Sequence, residues 1–462
     1  MTSPHSSANP LLHGPILPIL LRLAVPTVIV LVIQTLVGLT ETYFVSSLGT
    51  DAIAGVAVVF PVLMLMQMMS NGGLGGGVAS AVARARGAGR WDDAEALTWH
   101  AVVIAVVLGV LFTLVLLTAG PTLYHAMGVS GAALEAAVAY SELVFAGAPL
   151  IWVSALLSAA LRGTGDARTP SRITLGGAAI LLPLSPSLIF GFGPVPPLGV
   201  FGAGLAVFFY YVFALSCLIL YLRSGRSPVR LAPKPLELRH FKDILGVGLL
   251  SSLGAIQLNL TVSVVTAAVG RFGPAAIAGY GIASRLDYVL IPILFGLGTA
   301  VLTLVGTSIG SGNAERANRT AWIGALIAFG ITETIGVAAA AFPQAWIGLF
   351  STDPQVSALG GSYLRTVAPA YGGVGVGLTL YFAAQGTKRV LWPVLAGTAR
   401  MIIAALFGWI AVTSFGASLS VLFSIIAASS VVYAVITLSS SLSSGRSLRS
   451  SVQPTLQAEL VD

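Results

Sequence analysis

Long apolar runs recur along the chain, separated by short polar breaks. About 20 residues of α-helix cross the hydrocarbon of a bilayer. Twelve runs of that size or more lie near 16–45, 52–83, 99–124, 134–161, 171–193, 199–222, 244–270, 275–310, 320–350, 357–386, 391–415 and 418–440. None shows the strict period-two alternation of a barrel strand. The pattern predicts an all-α polytopic membrane protein with twelve transmembrane helices. The runs 52–83 and 275–310 exceed what a bilayer requires, and each is expected to begin as an interfacial turn before the span proper. The first run is too long for a signal-peptide core and lacks a clear cleavage site, so it reads as an uncleaved first helix.

Composition agrees. Only 39 of 462 residues are charged, 23 basic and 16 acidic, where a soluble protein would carry roughly a quarter. A cytosolic enzyme, a disordered chain and a disulfide-stapled secreted domain are excluded. Cys217 is the single cysteine and has no intrachain partner. The basic residues alternate with the loops. The second loop holds Arg84, Arg86 and Arg90, and the sixth holds Arg223, Arg226, Arg230, Lys234, Arg239 and Lys242. The even-numbered loops and the tail together carry 18, while the odd-numbered loops carry only Arg271. Basic loops stay in the cytoplasm, so both termini are expected there, in a bacterial inner membrane. The net charge of +7 is then topological and implies no nucleic-acid partner.

The two halves repeat. Leu48–Gly55 (LGTDAIAG) matches Phe272–Gly279 (FGPAAIAG) at an offset of 224. Gly73-Leu74-Gly75 matches Gly296-Leu297-Gly298 at 223, as do Gly87 and Gly89 with Gly310 and Gly312. Tyr140, Gly163 and Pro170 match Tyr363, Gly386 and Pro393 at the same offset. The expected organisation is an N-terminal six-helix bundle over 1–222, a cytoplasmic linker over 223–243, a C-terminal six-helix bundle over 244–440 and a cytoplasmic tail over 441–462. Six helices per half is an even number, so the repeats are parallel and enclose a central cavity. Such a cavity can open to either side in turn, which favours secondary transport. A channel would show a selectivity motif, and none is present. The glycine-rich stretch Gly72–Gly77 lacks the Lys-Ser/Thr of a phosphate loop and lies in an apolar run. Close helix packing or a local kink accounts for it.

Four acids lie within apolar runs: Glu41, Glu142, Asp287 and Glu333. Ionisable groups at membrane depth are costly and are functional candidates by default. Thr27, Gln34 and Glu41 follow one another at intervals of seven, which places them on one face of an otherwise apolar helix. That stripe should face a wet cavity, with Glu41 in its outer half, placed to bind and release protons. Ser252, Asn259 and Thr266 form a similar stripe on the seventh run. Either Val265 or Thr266 is then the counterpart of Glu41, and neither is acidic. Coupling chemistry is therefore expected in the N-terminal half. Asp287, two residues after Arg285, reads as a local ion pair, Glu142 as interfacial or buried, and Glu333 as a cavity candidate. The five histidines have no metal-ligand spacing, so no metal site is expected, and no nucleophile–base set supports catalysis.

The chain resembles the multidrug and toxic compound extrusion (MATE) family of twelve-helix antiporters over nearly its full length. The resemblance is carried by LAVPT at Leu23–Thr27, ETYFVSSLGTDAIAG at Glu41–Gly55 and LRGTGDARTP at Leu161–Pro170. It continues in LIFGFG at Leu188–Gly193, LGVFGAGLA at Leu198–Ala206, SIGSGN at Ser308–Asn313 and AAQGTKR at Ala383–Arg389. It implies export of bulky, often cationic and amphipathic compounds against inward proton or sodium flow. One branch uses a first-helix acid, normally Asp, and Glu41 occupies that position. That branch pairs it with Asn and Asp on the fifth helix, where this chain has Leu181 and Ser185, and with a sixth-helix Thr, where it has Val207. The other branch places acids on the seventh and tenth helices. Here the seventh offers Gln257 and Asn259, and the tenth is glycine-rich without an acid.

Sodium wants several hard oxygen ligands, so protons acting through Glu41 are the expected coupling ion, with no other cofactor. The expected partners are a small drug-like or metabolite substrate and the lipid bilayer, and the chain is expected to act as a monomer. Pro26, Pro183 and Pro186 are places where the first and fifth helices could bend. The alternatives are a dedicated metabolite exporter and a flippase for lipid-linked glycans. A flippase for anionic sugars should line its cavity with basic residues, and only Arg365 and Arg400 lie well inside spans.

Overall fold

The computed structural model describes residues 10–194 and 196–458, with side chains up to Ser443. The first nine residues and the basic side chains of Arg446 and Arg449 lie outside that description. All regular structure among the described residues is helical, apart from a single bridge residue at Phe192. In chain order the spans are α1 (Ile16–Ser46), α2 (Thr50–Gly87), α3 (Trp91–Ala126) and α4 (Gly131–Ala146 with Ala148–Gly163). They continue with α5 (Arg168–Phe190), α6 (Gly199–Arg223), α7 (Leu238–Gly270), α8 (Pro274–Gly310) and α9 (Ala314–Ala341). The last three are α10 (Pro354–Gly386), α11 (Leu391–Ser414) and α12 (Leu419–Ala458). Eleven of these are long and apolar enough to cross a bilayer, and the bent pair α4 makes a twelfth.

α2 and α8 are helical from Thr50 and Pro274 onward. α12 also continues well past position 440 into the expected tail. Within α2 the glycine-rich stretch adopts a π-helical segment, Met69–Leu74, a wider turn that shifts the helix face by one residue.

The chain divides into two compact units. One holds residues 26–86 and 90–248, and the other holds 1–25, 87–89 and 249–462. We call them the N unit and the C unit. The boundaries fall inside α1, at Pro26, and inside α7.

The repeat is visible in how each unit packs. Gly49 stands immediately before α2 at φ 111°, and Gly273 immediately before α8 at φ 96°, a left-handed backbone that only glycine adopts without cost. Six residues on, a Cβ on Gly55 would stand 2.6 Å from the Ala133 carbonyl and 2.7 Å from the Ala137 nitrogen. On Gly279 it would stand 2.8 Å from both the Val356 carbonyl and the Gly360 nitrogen. These are the same contacts shifted by 223 or 224 positions. The first repeated block is therefore a turn glycine followed by a close helix crossing, α2 on α4 and α8 on α10.

α4 and α10 are both broken, again at equivalent places. α4 bends by 47° at Gly147, and α10 passes through a 3-10 turn at Ala368–Ala370. A break frees backbone groups that lipid cannot satisfy. In the N unit the Thr113 hydroxyl donates to the Phe145 carbonyl at 2.6 Å. In the C unit the Gly372 N–H donates to Oε2 of Glu333 at 2.9 Å. The N-unit counterpart of Gly372 is Pro149, which has no N–H to satisfy.

The linker after α6 is fastened to the N unit. Lys234 lies 3.4 Å from both Asp92 and Glu95, and Arg239 lies 3.2 Å from Asp93. Arg84 pairs with Asp243 at 3.0 Å. The Arg86 guanidinium stacks 3.5 Å over Trp91 and donates to the Pro228 carbonyl at 2.6 Å. Buried His100 accepts the Glu237 N–H on Nε2 at 2.9 Å.

Candidate functional site

The stripe on α1 meets α5 and α6 within the N unit. Val37 packs with Ala178, Leu181 and Leu188 of α5 and with Ala206 and Tyr210 of α6. This apolar seam fixes the face that α1 presents. Gln34, one turn before Val37, hydrogen-bonds to the Tyr210 hydroxyl, which also bonds Thr174 of α5. Thr27 is buried. One turn after Val37, Glu41 reaches α5, where the fully buried Ser185 hydroxyl donates to its Oε2 at 3.0 Å. Its Oε1 is buried without a hydrogen-bond partner. Tyr140 of α4 stands within electrostatic reach of the carboxyl. Beside Tyr140, Tyr211 packs edge-on against Tyr210 at 4.8 Å and accepts from Gln67 at 3.4 Å.

Of the two α5 positions singled out in the sequence, Ser185 joins the carboxyl and Leu181 belongs to the apolar seam. The donor set is thus one carboxyl, one serine hydroxyl and a nearby phenol. Hard metal cations take several oxygen ligands, whereas a proton needs one. Among the described residues no group of three or more His, Cys, Asp and Glu could hold a metal ion. Pro26, Pro183 and Pro186 all lie inside continuous helices, and Pro26 is also the first residue of the N unit.

The C-unit candidates each have hydrogen-bond partners within the C unit. Asn259 bonds the Ala255 carbonyl of its own helix at 2.8 Å. Thr266 bonds the Val262 carbonyl at 2.7 Å and also reaches the Tyr280 hydroxyl. Oε2 of Glu333 accepts the Gly372 N–H at 2.9 Å, at the break in α10. Glu142 is exposed, in the first segment of α4 shortly before the break at Gly147.

Asp287 does not pair with Arg285. Residues two apart on a helix face different ways, and the exposed Arg285 lies 5.8 Å over the Phe350 ring. Asp287 turns inward and accepts from the Tyr363 hydroxyl at 3.3 Å. Sequence reasoning missed this contact. Its signal was the repeat itself, since Tyr363 is the counterpart of Tyr140.

The MatE family model matches residues 26–186 and 252–410, once in each repeat. The FAD transporter of Shewanella oneidensis is 28% identical over 397 residues, covering 85% of this chain and 87% of its own. A probable multidrug resistance protein NorM of Thermotoga maritima is 26% identical over 380 residues, 81% of each chain. Among solved structures, a MOP superfamily transporter from Pyrococcus furiosus superposes with a TM-score of 0.88 at 26% identity. It covers 95% of this chain and 98% of that one.

Proposed function

This chain belongs to the MATE family of membrane transporters, and we propose that it exports bulky, cationic amphipathic compounds from the cytoplasm in exchange for protons bound at Glu41. The observation that carries the reading is the carboxyl itself. One oxygen accepts from a single serine hydroxyl, the other is buried without a hydrogen-bond partner, and the apolar seam around Val37 lies one turn away. Such a group can take up a proton with no other ligand, or pair with a cationic substrate.

In the cycle, ionised Glu41 helps hold a cationic substrate taken from the cytoplasmic side. After reorientation by alternating access, protonation from outside removes the charge and the substrate leaves. The protein acts as a monomer in the inner membrane with both termini cytoplasmic, the orientation favoured by the basic loops. Pro26, Pro183 and Pro186 lack the N–H of a regular helix bond, so α1 and α5 can bend there at low cost as the carboxyl changes state.

The test is ethidium uptake into inverted vesicles, with pH and sodium gradients imposed separately. A pH gradient should drive uptake and a sodium gradient alone should not. Glu41→Gln should abolish it at normal expression. Undiminished transport by that variant would remove Glu41 from the mechanism, and sodium-only drive would overturn the ion.

The FAD transporter relative favours a second reading, a dedicated exporter of one metabolite. Saturable FAD transport in the same vesicles, without ethidium transport, would favour it.

A further inference from the structure

Each unit carries one acid beside a repeat-equivalent tyrosine, and the two acids come from non-equivalent helices. In the N unit, α1 brings Glu41 to Tyr140 of α4. In the C unit, α8 brings Asp287 to Tyr363 of α10. The position on α2 equivalent to Asp287 is Met64 or Leu63, and the position on α7 equivalent to Glu41 is Val265 or Thr266. Neither counterpart position holds an acid, yet each unit has a carboxyl near its copy of this phenol, hydrogen-bonded in the C unit and within electrostatic reach in the N unit.

We infer that Asp287 is a second proton-binding carboxyl, housed in the C unit. The inference rests on the proton-coupled reading above and extends it to one exchangeable proton per repeat.

The surroundings of Asp287 accommodate both protonation states. Oδ2 accepts from Tyr363, while Oδ1 is buried with no hydrogen-bond partner. The Tyr371 hydroxyl of α10 lies near the carboxyl and is itself buried without closing a hydrogen bond. A phenol both donates and accepts. It can accept from a protonated Oδ1 and, after a rotation of its hydroxyl, donate to an ionised one. No rearrangement of backbone is needed between the two.

The other groups facing Asp287 do not hold it in a fixed ion pair. Arg400 of α11 acts on it through space, but its guanidinium stands 5.7 Å over the Tyr433 ring of α12. No ion pair to Asp287 within 4.0 Å occurs among the described residues. Tyr280, on the same helix, packs edge-on against Tyr363 at 5.3 Å, and its hydroxyl is bonded by Thr266. Glu333 of α9 is taken by Gly372. Among the described residues Oδ1 of Asp287 is buried and closes no hydrogen bond, with the Tyr371 hydroxyl nearby to accept from a proton bound there.

The test is infrared difference spectroscopy of the purified, detergent-solubilised full-length protein across a pH titration. The carboxylic C=O region should show two bands that disappear as pH rises. Glu41→Gln should lose one and Asp287→Asn the other. Tyr363→Phe should shift only the band that Asp287→Asn loses. An Asp287→Asn spectrum identical to wild type would overturn the inference. If that variant does not elute as a monodisperse protein, Tyr363→Phe and Asp287→Glu decide, and unshifted bands in both overturn it. The two readings fail separately. Loss of the Asp287 band with full ethidium transport by Glu41→Gln sinks the coupling role of Glu41 and leaves this site standing. The reverse pair of results does the opposite.

Discussion

The Ser185 hydroxyl donates to Oε2 of Glu41 across 3.0 Å, joining the fifth helix to the first through the side chain at the centre of the N-unit site. A hydrogen bond to a charged group contributes about 1.5–3 kcal/mol. Ser185→Ala should therefore lower proton-driven ethidium transport about tenfold or more, with normal expression, while Ser185→Thr keeps most of it. Equal rates for the alanine variant and wild type would mean that the carboxyl works without its donor.

The crossing of α8 on α10 depends on Gly279. An added Cβ would meet backbone atoms 2.8 Å away on two sides, and backbone cannot step aside as a flexible side chain can. Overpacking of this kind costs about 1–3 kcal/mol. Gly279→Ala should lower the Tm in detergent by several degrees, and Gly55→Ala should do the same in the other unit. A variant as stable as wild type would mean that the two helices can separate freely at this point.

Glu333 is predicted to matter for stability and not for coupling. Glu333→Ala strands the Gly372 N–H, and an unsatisfied buried donor costs about 1–3 kcal/mol. Thermal stability should fall, while the response of ethidium transport to a pH gradient keeps its shape. A changed pH response at unchanged stability would return Glu333 to the coupling machinery.

The linker gives a pH dependence that can be read by proteolysis. Hydrogen bonds to Asp92 and then Glu95 raise the pKa of Lys234. A raised cation contributes its stabilisation fully below its unfolded pKa and loses it as pH rises through the folded value. Hydrogen bonding to Arg239 lowers the pKa of Glu237, so its contribution is present at neutral pH and is lost as pH falls through the folded value. Both groups are exposed and screened by salt. Trypsin should cut at Arg226 and Arg230 faster in high salt and above the usual lysine range. A cleavage rate indifferent to both would mean that the buried contacts of Arg84, Arg86 and His100 hold the linker alone.

Much of this was legible in the apolar runs, because span length and loop charge are set by the bilayer and not by tertiary contacts. The stripe Thr27–Gln34–Glu41 was legible for the same reason, since a helix with one polar face leaves little choice of neighbour. Asp287 was not. Its nearest charge in sequence is Arg285, but helix geometry points the two apart, and its true partner lies 76 residues away on α10. The contact of Glu333 with the Gly372 N–H was not legible either, because a backbone N–H freed by a break in another helix leaves no mark in the local pattern. The π segment in α2 was foreshadowed by its glycines, although composition does not distinguish it from a kink.

The breaks in α4 and α10 also separate what the two copies share from what they do not. They fall at Gly147 and at Ala368–Ala370, positions that correspond across the repeat. The groups at the breaks are a threonine hydroxyl in one copy and a glutamate in the other, and the acids Glu41 and Asp287 sit on helices that do not correspond. The two copies therefore agree in where the backbone is interrupted and differ in the side chains set against it, so a substitution at Thr113 and one at Glu333 probe the same backbone feature with different chemistry.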